Sequence, residues 1–519
     1  MLRIENLETR FFQWLVAIRH AHFFTLVMII AAPISLLAQT MTPALDEILA
    51  NRNLVGMAVG VSCGGEIQET YYGGFSHLPS QTDLTADRYF RVASISKSFT
   101  ATAILQLYDD GLFELDDDIS EALGYTVVNP GFPNTPITYR MLLSHTSSLQ
   151  DGSGYSNFLG ATLNQTPIPN MSEILLPSGA YFTPNMWRLE SPGTFFAYSN
   201  INFGLLGTLI EVHSNVRFDQ YMRTNVLIPL GSSGSFNIDD IPSIENVATL
   251  YRDAVAQLDN YNGVPPSPFN GSNYTPGTNG SRFGPQGGLR CTLEDLLAFG
   301  NMLLQNGSYN GNQILDSATV ELMLAPEWTF NGSNGDNYFG LFRSWGLGIH
   351  RAMGGTNGDA VFAGIPMLGH PGEAYGLISD LYIHPESGLA LAFLTNGYTS
   401  GGGYAFGQNS TFYRVEEEVF QTIYENWWEA CAQITPVVNV NSAQAACKNI
   451  QFNSITGAID PGVNGSRGVA SLYNLQGMAI WKKPIDGTAL IINESEGIYI
   501  LEIADESRNC VLKIFKSTQ

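Results

Sequence analysis

The chain has little lysine, little cysteine and little positive charge. Its 519 residues carry 24 Lys and Arg against 47 Asp and Glu, for a formal net charge of -23. Such a charge repels a phosphate backbone, so we expect a well-solvated protein with no nucleic-acid partner. The five scattered cysteines make no disulfide framework, and no Cys-x-x-Cys pair or His cluster indicates zinc. We predict neither a metal nor a cofactor, and leave open a pairing of Cys431 with Cys447 if the protein is exported.

The N-terminus has the order of an export signal. Three arginines precede an apolar run that starts at Phe23, and small residues follow it up to Ala38. The run is short for a bilayer span and contains Pro33, so a retained membrane anchor is the less favoured alternative. The sequence therefore predicts a signal peptide at 1–38 and a location in the periplasm, at the cell surface or outside the cell.

Lysine also divides the chain, because Lys97 is the only lysine before Lys448 and the others crowd the C-terminal end. A polar stretch without helical periodicity, at residues 434–444, separates the two compositions. We expect a body at 39–430, a linker at 431–450 and a small C-terminal β module at 451–519.

Alternating apolar residues predict two hairpins at opposite ends of the body. One has strands at 56–62 and 66–72, and the other has strands at 375–383 and 389–395. Mostly helical patterns and long loops fill the middle, and residues 412–428 predict an amphipathic helix. The predicted fold class is α+β, an antiparallel sheet flanked by helices with an inserted, mainly helical lobe.

Ser94 and Lys97 form a Ser-x-x-Lys pair at the predicted N-terminus of an apolar helix. At this spacing the hydroxyl and the amine share one face of the helix. Backbone N–H groups there favour a developing negative charge, and burial can lower the pKa of a lysine until its neutral amine accepts the serine proton. The motif is short and occurs often by chance, but here the only lysine of the body lies three residues after a serine. We therefore take Ser94 as a candidate nucleophile and Lys97 as its candidate base.

Five motifs follow one another along the body: Phe90-Arg-Val-Ala-Ser94-Ile-Ser-Lys97, Leu142-Leu-Ser-His-Thr-Ser-Ser-Leu, Tyr198-Ser-Asn200, Gly287-Gly-Leu and His370-Pro-Gly372. In this order and spacing they resemble the serine β-lactamase-related family, which includes class C β-lactamases, DD-peptidases, D-aminopeptidases and some esterases. The joint match covers most of residues 39–430 and is far more specific than any single motif. It implies a β-lactamase/transpeptidase-like fold.

The resemblance implies a role for each residue at these motifs. Tyr198 acts as a phenolate or proton relay beside the serine and the lysine, and the Asn200 amide orients the substrate. His370 lines the cleft, Gly372 lets the substrate approach the backbone, and the N–H of Glu373 joins that of the serine in an oxyanion hole. The expected substrate is a small ester, amide or peptide, which forms an acyl-enzyme that water then releases.

Two other serine motifs are interpreted as scaffold. Ser144 and His145 lie in Leu-Ser-His-Thr-Ser, a further point of resemblance that we do not read as a catalytic triad. Ser62 lies in a Gly-x-Ser-x-Gly match, but the next residues predict a returning strand rather than the helix that a nucleophile elbow requires. Neither serine is a candidate nucleophile.

The third motif narrows the substrate class. Relatives that act on β-lactams or D-Ala-D-Ala ends most often have Lys-Thr-Gly, which helps to hold the substrate carboxylate. Here Pro371 has no hydroxyl and no N–H, and His370 is largely neutral near pH 7. We predict an esterase or D-amino-acid peptidase, although Arg282 or Arg290 could replace the missing charge. The alternatives are a β-lactamase or DD-carboxypeptidase and, in another class, a catalytically silent surface-binding protein.

The C-terminal residues alternate like half-buried strands. Gly497-Ile-Tyr-Ile and the final Lys513-Ile-Phe-Lys resemble the C-terminal sorting domain of the type IX secretion system, although the usual Pro-Asn-Pro opening is missing. The resemblance implies contact with secretion machinery, and an ordinary accessory β domain is the alternative.

Overall fold

The computed structural model describes the body at residues 40–355 and 358–433. In the C-terminal region it describes the strands at 451–452, 458–460, 468–473, 479–485, 490–491, 497–505 and 508–516. The predicted signal peptide, the predicted linker beyond residue 433 and Cys447 lie outside the described residues. The chain divides into two compact units, Met1–Val437 and Val438–Gln519.

The strands of the body are longest around the two predicted hairpins. They are β1 Gly56–Cys63, β2 Glu66–His77, β3 Thr82–Asp83, β4 Phe90–Arg91, β5 Leu250–Arg252, β6 Val255–Leu258, β7 Arg290–Cys291, β8 Ser308–Tyr309, β9 Asn312–Gln313, β10 Trp328–Thr329, β11 Ser344–Trp345, β12 His350–Ala352, β13 Met367–Ala374, β14 Leu377–His384 and β15 Leu389–Thr395.

Nine of these strands form one antiparallel sheet in the order β10-β11-β12-β13-β14-β15-β1-β2-β3. Both predicted hairpins are confirmed, as β1–β2 and β14–β15. β1 also pairs with β15, with Val59 opposite Phe393, so strands from opposite ends of the body meet inside the sheet. Ser62 is in β1 and donates to Asn301 at 2.6 Å, so the Gly-x-Ser-x-Gly match is a strand end and a turn, as predicted.

Most of the helices lie in the middle of the sequence. They are α1 Thr42–Asn51, α2 Ser96–Asp109, α3 Ile119–Leu123, α4 Tyr139–Leu143, α5 Tyr155–Asn164, α6 Ser172–Leu175, α7 Asn200–Ser214, α8 Phe218–Tyr221, α9 Leu293–Leu304, α10 Ser317–Leu324 and α11 Arg414–Gln433. The predicted α+β class with a helical insertion between sheet strands is confirmed. In the described part of the chain, no helix combines the length and apolar character needed to cross a bilayer.

The sheet has a packed layer on each face. Side chains alternate along β1, so Ala58 packs with α2 and α9, whereas Val59 packs with α1 and α11. Every residue of β1 is buried, as expected for a strand covered on both faces. α2 is also buried along most of its length, which agrees with its apolar sequence. The layer that contains α2 and α9 therefore packs α2 against the sheet.

A disulfide joins Cys63 at the end of β1 to Cys431 in α11, with Cα atoms 5.0 Å apart. From the sequence we left open a pairing of Cys431 with Cys447 and did not consider Cys63 as the partner. α11 continues through Gln433, into the predicted linker, and this places Cys431 in the buried layer between α11 and the sheet. Cys291 is buried and unpaired.

The C-terminal unit consists of strands in the described residues. They are β16 Gln451–Phe452, β17 Ala458–Asp460, β18 Gly468–Tyr473, β19 Ala479–Ile485, β20 Leu490–Ile491, β21 Gly497–Asp505 and β22 Arg508–Lys516. One sheet has the order β19-β18-β21-β22 and the other has the order β16-β17-β20. The predicted β character of this region is confirmed.

Candidate active site

Ser94 lies in a tight 3-10 turn, Ala93–Ile95, that leads directly into α2. Ala93 has a φ of 44°, in the left-handed region that a residue with a Cβ rarely adopts, so the turn is strained beside the candidate nucleophile. The neighbouring loop holds it, because Val92 N donates to Leu289 O at 3.0 Å and Leu289 N donates to the Ser96 hydroxyl at 3.1 Å. Ser94 itself is partly exposed to the cleft.

Lys97 is fully buried, and its amine is held by neutral oxygen atoms. Nζ donates to Ser94 Oγ at 3.1 Å, to Asn200 Oδ1 at 2.9 Å and to the backbone oxygen of Gln286 at 2.8 Å. Within the described residues, no carboxylate lies within ion-pair distance of this amine. Burial lowers the pKa of Lys97 to about 7, and the negative charge of Asp151 opposes that shift. Near neutral pH, a large fraction of the amine is therefore able to accept a proton.

Asp151 organises the N-terminus of α7. Its carboxylate accepts from the backbone N–H of Ile201 at 2.9 Å and of Asn200 at 3.2 Å, which caps the helix. It also accepts from Asn200 Nδ2 at 2.8 Å, so that Asn200 Oδ1 faces Lys97. The Asn200 amide thus joins Asp151 to Lys97; it also lines the cleft, and its contact with the substrate stays a prediction.

Tyr198 covers the amine of Lys97, with the ring centroid 4.8 Å from Nζ. Burial raises the pKa of Tyr198 above its usual value, and a hydrogen bond with Ser94 opposes that shift. The hydroxyl is therefore a neutral phenol, which favours the proton relay over the phenolate. On its other side, Tyr198 packs on His145 with ring centroids 4.5 Å apart.

Ser144 and His145 contact residues other than Ser94. Ser144 Oγ donates to Arg140 O at 2.8 Å, and His145 Nδ1 accepts from Ser199 N at 3.2 Å. Burial keeps the pKa of His145 well below 6.5, so the ring is neutral. In the described part of the chain neither side chain hydrogen-bonds to Ser94, which agrees with the scaffold interpretation.

The third motif lies on β13, and the structure differs from expectation on His370. His370 is buried behind Tyr198 and does not line the cleft; Nδ1 contacts Pro371 O at 2.6 Å, and burial keeps its pKa well below 6.5. A Cβ on Gly372 would lie 2.7 Å from Val92 O and 3.2 Å from Ser94 N. Glycine therefore allows β13 to approach the serine turn.

Glu373 follows on the same strand and lines the cleft. Its side chain is exposed and accepts from the Tyr413 hydroxyl at 3.0 Å, on the side of α11. Alternation along the strand thus turns the carboxylate away from the Ser94 turn that Gly372 contacts. Its peptide bond to Gly372 belongs to the part of β13 that contacts the Ser94 turn.

The cleft at Ser94 encloses ≈ 650 Å³. Ser94, Tyr198 and Asn200 form one part of its wall, and loop residues of the helical lobe, including Phe269 and Arg282, form another. The volume suits a small organic substrate. No group of three or more potential ligands gathers in metal-binding geometry within the residues that the structure describes.

A buried ionic cluster forms part of the same wall. The Asp259 carboxylate accepts from Arg290 at 2.7 and 3.1 Å and from Arg91 at 3.0 and 3.3 Å, and Tyr261 donates to it at 3.2 Å. The two guanidinium groups hold the pKa of Asp259 well below its usual value. Arg290 is thus committed to Asp259, which contradicts its suggested role as a replacement cation.

Three contributors to this site were missed by sequence reasoning. Asp151, the backbone of Gln286 and the Asp259 cluster carry no short motif of their own. Asp151 follows the Leu-Ser-His-Thr-Ser segment by a few residues and Gln286 directly precedes Gly287, so proximity to the motifs was the only available signal.

Comparison with known proteins gives a consistent result. The family profile described as Beta-lactamase matches residues 39–407. The chain is 26% identical over 356 residues to penicillin-binding protein 4 of Amycolatopsis lactamdurans, covering 68% of this chain and 83% of that protein. It is 26% identical over 302 residues to penicillin-binding protein 4* of Bacillus subtilis, covering 57% of this chain and 61% of that protein.

Solved structures share the fold. D-amino acid amidase from Ochrobactrum anthropi SV3 superposes with a TM-score of 0.54 at 22% identity, over 74% of this chain and 98% of the amidase chain. The octameric penicillin-binding protein homologue from Pyrococcus abyssi superposes with a TM-score of 0.55 at 17% identity, over 92% of this chain and 96% of that chain. At these identities the likeness establishes the architecture alone.

Proposed function

The chain belongs to the Beta-lactamase family of serine hydrolases, and we propose that it hydrolyses its substrate through an acyl-enzyme formed on Ser94. One observation carries the proposal: the amine of Lys97 lies 3.1 Å from Ser94 Oγ, buried and without a carboxylate in contact among the described residues. A lysine in this state is a base matched to neutral pH.

Acylation requires a proton transfer and a place for negative charge. The neutral Lys97 amine takes the Ser94 proton while Oγ attacks the substrate carbonyl carbon. We assign the oxyanion to the backbone N–H groups of Ser94 and Glu373, since Gly372 brings β13 against the serine turn. Tyr198, as a neutral phenol, passes the proton to the leaving group.

Deacylation reverses these roles. Once the leaving group has departed, a water molecule gives its proton to Lys97, either directly or through Tyr198. The water oxygen then attacks the acyl carbon. The bond to Ser94 Oγ then breaks, and the serine recovers its proton. Asn200 acts as a positioning residue, because it holds Lys97 from one side and is itself held by Asp151.

We propose an esterase or D-amino-acid peptidase rather than a β-lactamase or DD-carboxypeptidase. The support comes from β13, where His370 is buried and neutral and Pro371 has no donor, so the third motif offers no cation to a substrate carboxylate. The D-amino acid amidase from Ochrobactrum anthropi has the same fold, which is compatible with the peptidase reading.

Labelling with a fluorophosphonate probe tests the nucleophile. The probe should modify Ser94, identified by peptide mapping, in the parent protein and in Ser144→Ala, but not in Ser94→Ala. No labelling of Ser94 by the fluorophosphonate or by a fluorescent penicillin would favour a catalytically silent binding protein.

A side-by-side assay tests the substrate class. We expect higher kcat/KM on a short-chain p-nitrophenyl ester or a D-alanyl amide than on a chromogenic cephalosporin. The opposite order would defeat the substrate assignment while leaving the acyl-enzyme proposal intact.

We also propose that the protein is exported and that the C-terminal β module directs sorting, as its resemblance to the type IX domain implies. Truncation after Cys447 should leave hydrolysis intact and stop delivery to the cell surface, measured by fractionation of the producing cells. Unchanged delivery of the truncated chain would favour an ordinary accessory module.

A further inference from the structure

The arginines of the cleft wall differ in what holds them. Arg91 and Arg290 share the carboxylate of Asp259, so their hydrogen-bond donors and much of their charge are satisfied inside the protein. Arg282 also lines the cleft, but its guanidinium has no ion-pair or hydrogen-bond partner in the described part of the chain. Arg282 is the cleft arginine left for a ligand.

Arg282 is also held in place. Its guanidinium carbon lies 4.7 Å from the centroid of the Phe269 ring, a stacking that restricts the side chain before any ligand binds. The residue is only partly exposed, and burial lowers its pKa from the ordinary value, while the negative charge of Asp239, which also lines the cleft, opposes that shift. A guanidinium that is partly withdrawn from water and has unfilled donors gains most from a planar anion, which it can bind through two parallel hydrogen bonds.

The chain links Arg282 to the reacting groups. Gln286, whose backbone oxygen accepts from Lys97 at 2.8 Å, lies four residues further on. A four-residue span is at most about 14 Å, so the Cα of Arg282 is within that distance of the backbone that holds the base. The intervening segment is held in place, because Thr100 Oγ1 in α2 donates to Pro285 O at 2.8 Å and Gly284 N donates to Ser281 O at 3.0 Å.

We infer that Arg282 is a specificity-determining residue that binds a carboxylate of the substrate at the loop wall of the cleft, away from the scissile bond. The inference rests on the proposed function, because it assigns a substrate group to the same cleft. It places the substrate anion at the loop wall formed by the helical lobe and not at β13, where His370 and Pro371 provide no cation. The substrate class becomes an ester or peptide with a terminal carboxylate.

Equilibrium binding tests this without requiring turnover. In full-length Ser94→Ala protein, calorimetry compares glutaric acid monoanilide with valeranilide, which has a methyl group in place of the terminal carboxylate. We expect the carboxylate compound to bind more tightly, and Arg282→Gln to weaken it about ten- to a hundredfold while leaving valeranilide unchanged. Arg282→Lys should retain part of the preference, since it keeps the charge but loses the two parallel hydrogen-bond donors of the guanidinium.

Arg223→Gln is the control, because Arg223 is an exposed arginine of the same lobe that pairs with Asp240 and lies outside the cleft lining. It should change neither affinity, and thermal unfolding should show both glutamine variants folded. Equal affinity for the two anilides, an Arg282→Gln variant that retains the preference, or no binding of the carboxylate compound would each overturn the inference.

Turnover separates the two proposals. With Ser94 present, the Arg282→Gln variant should raise KM for mono-p-nitrophenyl glutarate and leave KM for p-nitrophenyl valerate and both kcat values nearly unchanged. Carboxylate-dependent binding without hydrolysis of either ester would remove the proposed function and leave the Arg282 site standing.

Discussion

Two buried clusters beside the nucleophile differ in whether the buried charge has a partner of opposite charge. At Asp259, one carboxylate is bound by two arginines, and the pKa of the carboxyl falls, so the carboxylate stays ionised. At Lys97, the same degree of burial is combined with neutral oxygen acceptors only, and the pKa falls to about 7. Burial with a counter-charge fixes the protonation state, whereas burial without one makes a group that exchanges protons near neutral pH.

The largest expected effect comes from replacing Lys97 by an arginine, which keeps a cation and removes the base. Because arginine is not deprotonated in proteins, Lys97→Arg should lower kcat/KM by about 10²–10⁴-fold. Lys97→Met removes both the charge and the base, and it should lower kcat/KM by a similar factor. If the arginine variant kept activity within tenfold while the methionine variant lost it, Lys97 would act as a fixed cation. The contrast between the Lys97 and Asp259 clusters would then be wrong.

Asp259→Asn should break the other cluster by leaving the buried Arg290 and the partly buried Arg91 without a counter-charge. We expect a loss of about 3–5 kcal/mol in the free energy of unfolding, measured by urea denaturation. Asp116→Asn is the control, since Asp116 is 70% exposed in its pair with Arg140, and exposed pairs contribute about 0–1 kcal/mol. Similar losses in the two variants would contradict a special role for burial.

Gly372→Ala tests whether β13 positions the serine turn. The added Cβ would clash with the Ser379 hydroxyl on β14 and lie 2.7 Å from Val92 O and 3.2 Å from Ser94 N, so both the Ser379 side chain and the turn must move. A displacement of that size should lower kcat by about 10²-fold with little change in KM. Gly160→Ala, where a Cβ meets nothing within 4 Å, should leave kcat unchanged. Full activity in Gly372→Ala would show that the close approach is not needed.

The smallest effect is a shift in the pH profile. Protonated Lys97 cannot accept the serine proton, so kcat/KM should fall as pH drops through the Lys97 pKa of about 7. The charge of Asp151 raises that pKa, so Asp151→Asn should move the midpoint to lower pH. Asp116→Asn should leave it in place. A midpoint that moves upward in Asp151→Asn would contradict the electrostatic account.

Much of the fold could be predicted because its signals are local. The alternation at 56–72 and 375–395 fixes two hairpins, and the apolar sequence after Ser94 indicates a buried helix. The motifs also located Ser94, Lys97, Tyr198 and Asn200, which the structure brings together around one amine.

What the sequence did not reveal depends on distant partners. Nothing near Cys431 indicates that Cys63 lies beside it, and no pattern around Asp259 indicates that two arginines converge there. The position of His370 was misjudged because a motif gives a strand but not the surface against which that strand packs. Alternation along β13 then decided which side chains reach the cleft and which backbone lies against Ser94.

The pairing of β1 with β15, closed by the disulfide between Cys63 and Cys431, has a consequence for synthesis. The first hairpin leaves the ribosome without its neighbouring strand and without the helix that covers its outer face. The 368 residues between the two cysteines take on the order of 20–70 s to make at 5–20 residues per second. Throughout that interval β1 presents an apolar strand with one unpaired edge, so completion of the body has to wait for its last helix.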